Sequence, residues 1–175
     1  MKQLDGTGMK RLHREWRKTT SGRLALILDG VQGPYNVGGI VRTAAAYRVD
    51  HVWLAGATPA FGVASVQKTA LGTDRYLTTT TVDKGVQAVD AARAAGYQVV
   101  AVELADGAQP LHALELGAST CLVLGNEDHG ISAAALAAAD AVAFLPQLGR
   151  VGSLNVATAA AIALYEVRRR AWEAP

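Results

Sequence analysis

Residues 24–47 read LALILDGVQGPYNVGGIVRTAAAY, and the pattern changes partway along. Leu24–Leu28 is an unbroken apolar run bounded by Gly22 and by Asp29-Gly30, which predicts a buried strand. GVQGPYN reads as a loop. Asn36 is a good helix N-cap, and the mostly apolar VGGIVRTAAAY after it predicts a helix. A buried strand feeding a helix through a glycine-bearing loop is the repeating unit of an α/β fold.

The same unit recurs along the chain. Strands are predicted at His51–Ala55, Arg75–Thr80, Tyr97–Glu103, Cys121–Leu124 and Ala141–Leu145. Between them come a short helix near 63–70, a helix over Val82–Ala95 closed by Gly96, and an alanine helix from a Ser132 cap through Ala139. A long helix is expected from Ser153 to about Arg170. Before the first strand, residues 9–19 place Met9, Leu12 and Trp16 on one side of a short basic helix. This alternation predicts an α/β fold, a mainly parallel sheet with helices on both faces. In such sheets the chemistry sits beyond the C-terminal ends of the strands. Three glycine-bearing loops qualify: 29–36, 125–131 and 146–153.

Composition narrows the classes. The 175 residues are half hydrophobic, which fits one domain with a packed core. The single cysteine excludes an intramolecular disulfide and a multi-cysteine metal site, and the four histidines lack metal-ligand spacing, so no metal is expected. No apolar run reaches the ~20 residues of a membrane span, and the N-terminus lacks a signal-peptide core. A cytoplasmic location, away from membranes, is the expectation. The net charge of +2 hides an asymmetry: residues 1–23 carry seven basic and two acidic side chains, and Arg168–Arg170 are basic again. Basic ends on an acidic body suit a polyanion. Lys10, Arg11, Arg14, Arg17 and Lys18 are candidate phosphate contacts; a merely solvated helix reads equally well from charge alone. The G-x-G-x-x-G, phosphate-loop and G-x-S-x-G spacings are missing.

Three segments stand out together: NVGGIVRTA over 36–44, LVLGNEDHGIS over 122–132, and LPQLGRVGSLNVA over 145–157, running on to Glu166. In this order they resemble motifs 1, 2 and 3 of the SpoU (TrmH) family of RNA ribose 2′-O-methyltransferases, in the SPOUT class. The resemblance covers about residues 24–168. It implies a C-terminal deep trefoil knot, S-adenosylmethionine as methyl donor (leaving as S-adenosylhomocysteine), and a homodimer. It points to structured RNA as substrate, with tRNA ahead of rRNA and a D-loop guanosine favoured. The alternatives are an rRNA enzyme, a non-catalytic RNA-binding module, and a small-molecule methyltransferase. The expected organisation is a basic helical extension over 1–23, a methyltransferase domain over 24–170, and a short tail over 171–175.

Arg42 is the only charge in its helix and the expected essential group. Guanidinium, with a pKa above ~12, is a poor base, but it can hold a phosphate, aim a hydroxyl and stabilise a developing alkoxide. Its ordinary alternatives are an ion pair with Glu127 or a snorkelling surface arginine. Asn36 can cap its helix and also face the site. Glu127 can pair with Arg42 or hold Asn36. Ser153 is a natural N-cap near the expected methyl donor, and Asn155 can orient Ser153 or the substrate. The resemblance assigns the cofactor wall to the second and third motifs, through Leu124, Gly125, Asn126, Leu145, Gly149, Ser153 and Leu154. The near-continuous apolar surface of the last helix suits a symmetric dimer interface. Three departures from the family pattern are visible: Gln147 where methionine is common, Ala157 where serine is common, and Arg48 where glycine is common.

Overall fold

The computed structural model describes residues 2–173, with side chains through Trp172. Helix α1 (Gly6–Thr19) precedes strand β1 (Arg23–Asp29), helix α2 (Pro34–Ala46), strand β2 (His51–Ala55) and helix α3 (Ala64–Ala70). There follow β3 (Thr78–Val82), α4 (Gly85–Ala94), β4 (Gln98–Val102), β5 (Gln109–Pro110) and β6 (Ser119–Gly125). Helix α5 (Ala133–Ala138), β7 (Ala141–Phe144) and α6 (Val156–Glu173) complete the chain.

The strands form one sheet in the order β3-β2-β1-β6-β4-β7-β5, and every neighbouring pair is parallel. The strand period of two divides the core. Leu24, Leu26 and Leu28 face α2, α3 and α6, while Ala25 and Ile27 face α4 and α5. The expected α/β architecture, with helices on both faces, is therefore what the structure has. From β1 the chain builds outward through β2 to β3, then restarts on the other side at β4. A crevice beyond the strand ends is the consequence at that reversal. Asp29 of β1 pairs in register with Gly125 of β6, so the loops after these two strands leave the sheet side by side.

Several boundaries differ from the sequence reading. Helix α1 starts at Gly6, because Asp5 caps it by accepting from the Gly8 N–H (2.8 Å). Helix α2 starts at Pro34, whose fixed φ suits a first turn, so Asn36 lies within the helix and is not its cap. Residues Thr73–Tyr76 wind into a 3-10 turn, which moves β3 to Thr78–Val82 and the start of α4 to Gly85. Helix α6 begins at Val156, not at Ser153, and continues to Glu173. The expected tail over 171–175 is thus helical as far as Glu173, and its last two residues lie outside the described ones. Strand β5 had no signal in the sequence; it is two residues long at the sheet edge and contains Pro110, which edge strands tolerate.

Arg168 anchors the end of α6. It is buried and donates to the carbonyls of Gly22 (3.2 Å), Tyr47 (2.8 Å) and Arg48 (2.6 Å). Those bonds join α6 to the residues before β1 and after α2.

Candidate functional site

Three side chains form a continuous polar chain: Asn36 in the first turn of α2, Glu127 in the loop after β6 and Asn155 just ahead of α6. Asn36 Nδ2 donates to Glu127 Oε1 (2.8 Å), and Asn155 Nδ2 donates to Asn36 Oδ1 (3.0 Å). The Glu127 carboxylate also accepts from the N–H groups of Gln32 (3.2 Å) and Gly33 (3.1 Å), which lie in the loop that leads into α2. Partial desolvation pushes the Glu127 carboxyl up, but the Asn36 amide and the backbone donors together hold it below its ordinary value. Of the two partners considered for Glu127, the structure has Asn36. Asn155 does the capping expected of Ser153: its Oδ1 accepts from the N–H groups of Ala157 (3.0 Å) and Thr158 (3.2 Å). The Ser153 hydroxyl makes no hydrogen bond among the described residues and faces a cavity.

That cavity, of about 710 Å³, lies beyond the ends of β4 and β6. It is lined by Leu124, Gly125, Asn126, Ser153, Leu154 and Asn155 from the expected set, with Glu127 at its side. Leu145 lines an adjoining smaller cavity that shares Ser153 and Leu154 with the first. Gly149 lines neither; it is exposed, and a Cβ there would meet nothing within 4 Å. Gly125 is needed by its own loop, since a Cβ on it would lie 2.3 Å from the Gly130 carbonyl carbon. Asn126 and Gly130 exchange backbone hydrogen bonds there (3.0 and 2.9 Å). The Asn126 side chain shapes the loop too, donating to Gly30 O (2.7 Å) and accepting from the N–H groups of Asp128 and His129.

The residues at the end of β4 escaped the sequence reading. Val102, Glu103 and Leu104 line both cavities, and Glu103 Oε2 accepts from the Ile131 N–H (3.0 Å), joining β4 to the loop after β6. The available signal was a carboxylate following a buried strand, but strand order, which brings β4 beside β6, is not written in one sequence.

The cavity suits the expected methyl donor. Its size is typical of small-molecule sites, and its walls are apolar at Leu124, Ile131 and Leu154. Glu103, Glu127 and Asp128 line it without an arginine or lysine, which favours a ligand bearing sulfonium and ammonium charges. Gln147 Oε1, beside Ser153 and Leu154 in the adjoining cavity, is buried with no hydrogen-bond partner, so a donor on a ligand would satisfy it.

Arg42 stands elsewhere. It is exposed, has no ion-pair or hydrogen-bond partner among the described residues, and lines a second cavity of about 820 Å³. The ion pair with Glu127 is not formed. The two cavities share no lining residue. Of the expected RNA contacts, Arg17 lines this second cavity with Arg42, while Lys10, Arg11, Arg14 and Lys18 are exposed along α1. Among the described residues no three or more His, Cys, Asp or Glu side chains group as a metal site, and no helix is long and apolar enough to cross a membrane.

Comparison with known proteins gives a consistent picture. The chain is 33% identical over 150 residues to the tRNA (guanosine(18)-2′-O)-methyltransferase of Escherichia coli K12, covering 84% of this chain. It is 34% identical over 157 residues to the 23S rRNA (guanosine(2553)-2′-O)-methyltransferase of Bacillus subtilis, covering 89% of this chain. It spans 63% and 62% of the lengths of those two proteins. Among solved structures, the AdoMet-bound rRNA methyltransferase from Sinorhizobium meliloti superposes with a TM-score of 0.80 at 27% identity, over 95% of this chain and 70% of that one. The A. aeolicus TrmH/SpoU tRNA modifying enzyme gives 0.75 at 27% identity, over 93% and 83%. The SpoU rRNA Methylase family model matches residues 23–165, so the sheet, the three loops and the Asn36–Glu127–Asn155 chain all fall within it, and the protein belongs to that family.

Proposed function

We propose that this protein transfers a methyl group from S-adenosylmethionine to a ribose 2′-hydroxyl of structured RNA, with a tRNA D-loop guanosine as the favoured acceptor. The observation that carries the reading is the polar chain of Asn36, Glu127 and Asn155, which ties the three motif loops together at the side of an acidic cavity. Bound there, S-adenosylmethionine supplies an electrophilic methyl group on a sulfonium. Leu124, Gly125, Asn126, Leu145, Ser153 and Leu154 hold the donor, with Gly149 in the loop that closes over it. The deep knot goes with this reading, and so does a cytoplasmic location, where the RNA is found.

Arg42 binds a phosphate next to the acceptor, aims the hydroxyl and stabilises the developing alkoxide; the phosphate or a water on it takes the proton. Since Arg42 does not line the donor cavity of its own chain, a homodimer that sets Arg42 of one protomer against the donor cavity of its partner completes the site. Helix α6 supports that dimer: Val156, Ala160, Ala163 and Leu164 are buried in the core, while Ile162 and Tyr165 remain exposed on the other side.

A second reading, methylation of rRNA, is favoured by the near-equal identities to a tRNA and an rRNA enzyme. Incubating the protein with tritiated S-adenosylmethionine and either total tRNA or ribosomal RNA separates the two. Calorimetry with the methyl donor separates both from a non-catalytic RNA-binding module. Binding heat followed by label in tRNA is the expected result. No heat at high protein concentration would leave only the binding module.

A further inference from the structure

The second cavity has a chemistry of its own. It lies at the edge of the sheet where the strands begin, between the C-terminal parts of α1, α2 and α6, with Asp50 just ahead of β2 in its wall. Arg17, Arg42 and Arg48 line it, and among the described residues no carboxylate is bound to any of them. Arg17 uses only its Nε, toward the His13 carbonyl (3.2 Å). Among the described residues the one acid in the wall is Asp50, whose Oδ2 accepts from the Leu24 N–H (3.0 Å), and Arg168 is occupied with backbone carbonyls. These three arginines against one aspartate give this concavity an excess of positive charge, which favours an anion.

The same walls are aromatic. One side of Trp16 packs on Trp172 (centroids 5.0 Å apart), and Trp16 is still 49% exposed. Tyr76 is exposed, with Arg75 across its ring at 4.8 Å. Helix α1 has no buried residue; the contacts of Trp16 and Thr20 with Trp172 hold it to the body, and Met9 and Leu12 are left uncovered. Arg48 adds backbone strain. It adopts φ +51°, a left-handed conformation that glycine takes without penalty, yet carries a long cation into the cavity. That conformation closes α2, with the Arg48 N–H on the Ala45 carbonyl (3.3 Å) and the Val49 N–H on the Ala44 carbonyl (2.9 Å), and it turns the Arg48 side chain to the cavity.

We propose that this cavity is a nucleotide subsite for the RNA strand: it takes one unpaired nucleotide, with the base on the open side of Trp16 and the flanking phosphates on Arg17 and Arg48. The inference rests on the RNA reading above. Arg42 in the same wall places that nucleotide next to the acceptor ribose. Stacking on an aromatic ring tolerates any base, so the subsite contributes affinity and register more than sequence choice. A free nucleoside phosphate has the same chemistry as one residue of the strand, but it offers a single phosphate where the cavity has several guanidinium groups.

The test titrates the full-length protein with single-stranded hexa-adenylate and, separately, with adenosine monophosphate, following tryptophan fluorescence. The hexamer is expected to quench emission and to bind at least tenfold more tightly than the mononucleotide. Trp16→Ala should weaken hexamer binding about tenfold. Arg17→Ala and Arg48→Gly should each weaken it and lower the log–log salt slope by about 0.7. Arg48→Gly keeps the backbone conformation available, and an unchanged melting temperature separates its loss of binding from misfolding; Tyr76→Ala serves beside Trp16→Ala, because it leaves α1 untouched. Hexamer affinity unchanged in these variants overturns the proposal. So does equal affinity for the mononucleotide, which makes this a free-nucleotide site, or variants that alter self-association alone, which makes it a contact between two copies. Methyl transfer to tRNA, measured in parallel, keeps the two readings apart. Transfer without hexamer binding removes only the subsite, and hexamer binding without transfer removes only the methylation reading.

Discussion

Asn155 joins two jobs in one side chain: its oxygen caps α6 while its nitrogen reaches Asn36. Replacing Asn155 with alanine should therefore cost about 1 kcal/mol of stability through the lost cap, read by urea unfolding. It should also lower methyl transfer more than that small loss of stability explains. Glu127 makes a pH-dependent contribution of predictable sign. Its carboxyl is held below the ordinary value, so its stabilising effect is present above about pH 4.3, the unfolded value, and is lost as pH falls through the folded one. The melting temperatures of wild type and Glu127→Gln should differ at pH 7 and converge toward pH 3; a constant difference would show that the carboxylate charge contributes nothing. Glu166 follows the same sign. The hydrogen bond from Arg169 is the largest cause, desolvation opposes it, and with Arg170 the pair holds the carboxyl at about 2.

Among the elements, strands in long apolar runs were legible from sequence, because burial on both sides leaves no polar phase to confuse. β1 and β6 extend by a residue or two beyond the expected runs, and β2 lies where expected. Helix starts were less legible. Asn36, Ser132 and Ser153 all have the chemistry of an N-cap; Ser132 holds that position before α5 as expected, but tertiary partners claim the side chains of Asn36 and Ser132. Asn36 turns to Glu127, and the Ser132 hydroxyl donates to Asp29 Oδ2 (2.6 Å). At the third, Asn155, two residues on, takes the cap. The motif loops held most of the candidate site residues in advance, whereas Glu103 came from strand order alone. Helix α1 was visible as a basic amphipathic segment, but its lack of burial was not. Deleting residues 2–19 should leave affinity for the methyl donor unchanged by calorimetry and weaken tRNA binding at least tenfold. Equal tRNA affinity would remove α1 from the RNA-binding surface.

At the scale of the molecule the charge is divided between two cavities. One is lined by carboxylates at the C-terminal ends of the strands, and the other by arginines near their N-terminal ends. On the proposed function, a cationic donor and a polyanionic acceptor would be drawn to different places, and the proposed pair of protomers would bring the two together. Sedimentation equilibrium should give twice the 18.2 kDa chain mass, and Ile162→Asp should shift it toward one. A monomer that is fully active would remove the shared site. The proposed reaction is methyl transfer to a ribose oxygen with Arg42 at the reacting hydroxyl. Its most direct test is nucleoside analysis of tRNA after incubation with tritiated S-adenosylmethionine, for wild type and Arg42→Ala side by side. Wild type should put label in a 2′-O-methylated nucleoside, and the variant should do so at a rate below a tenth of that, a barrier increase of more than ~1.4 kcal/mol, with donor affinity unchanged. Label on a base, or an Arg42→Ala rate close to wild type, would contradict it.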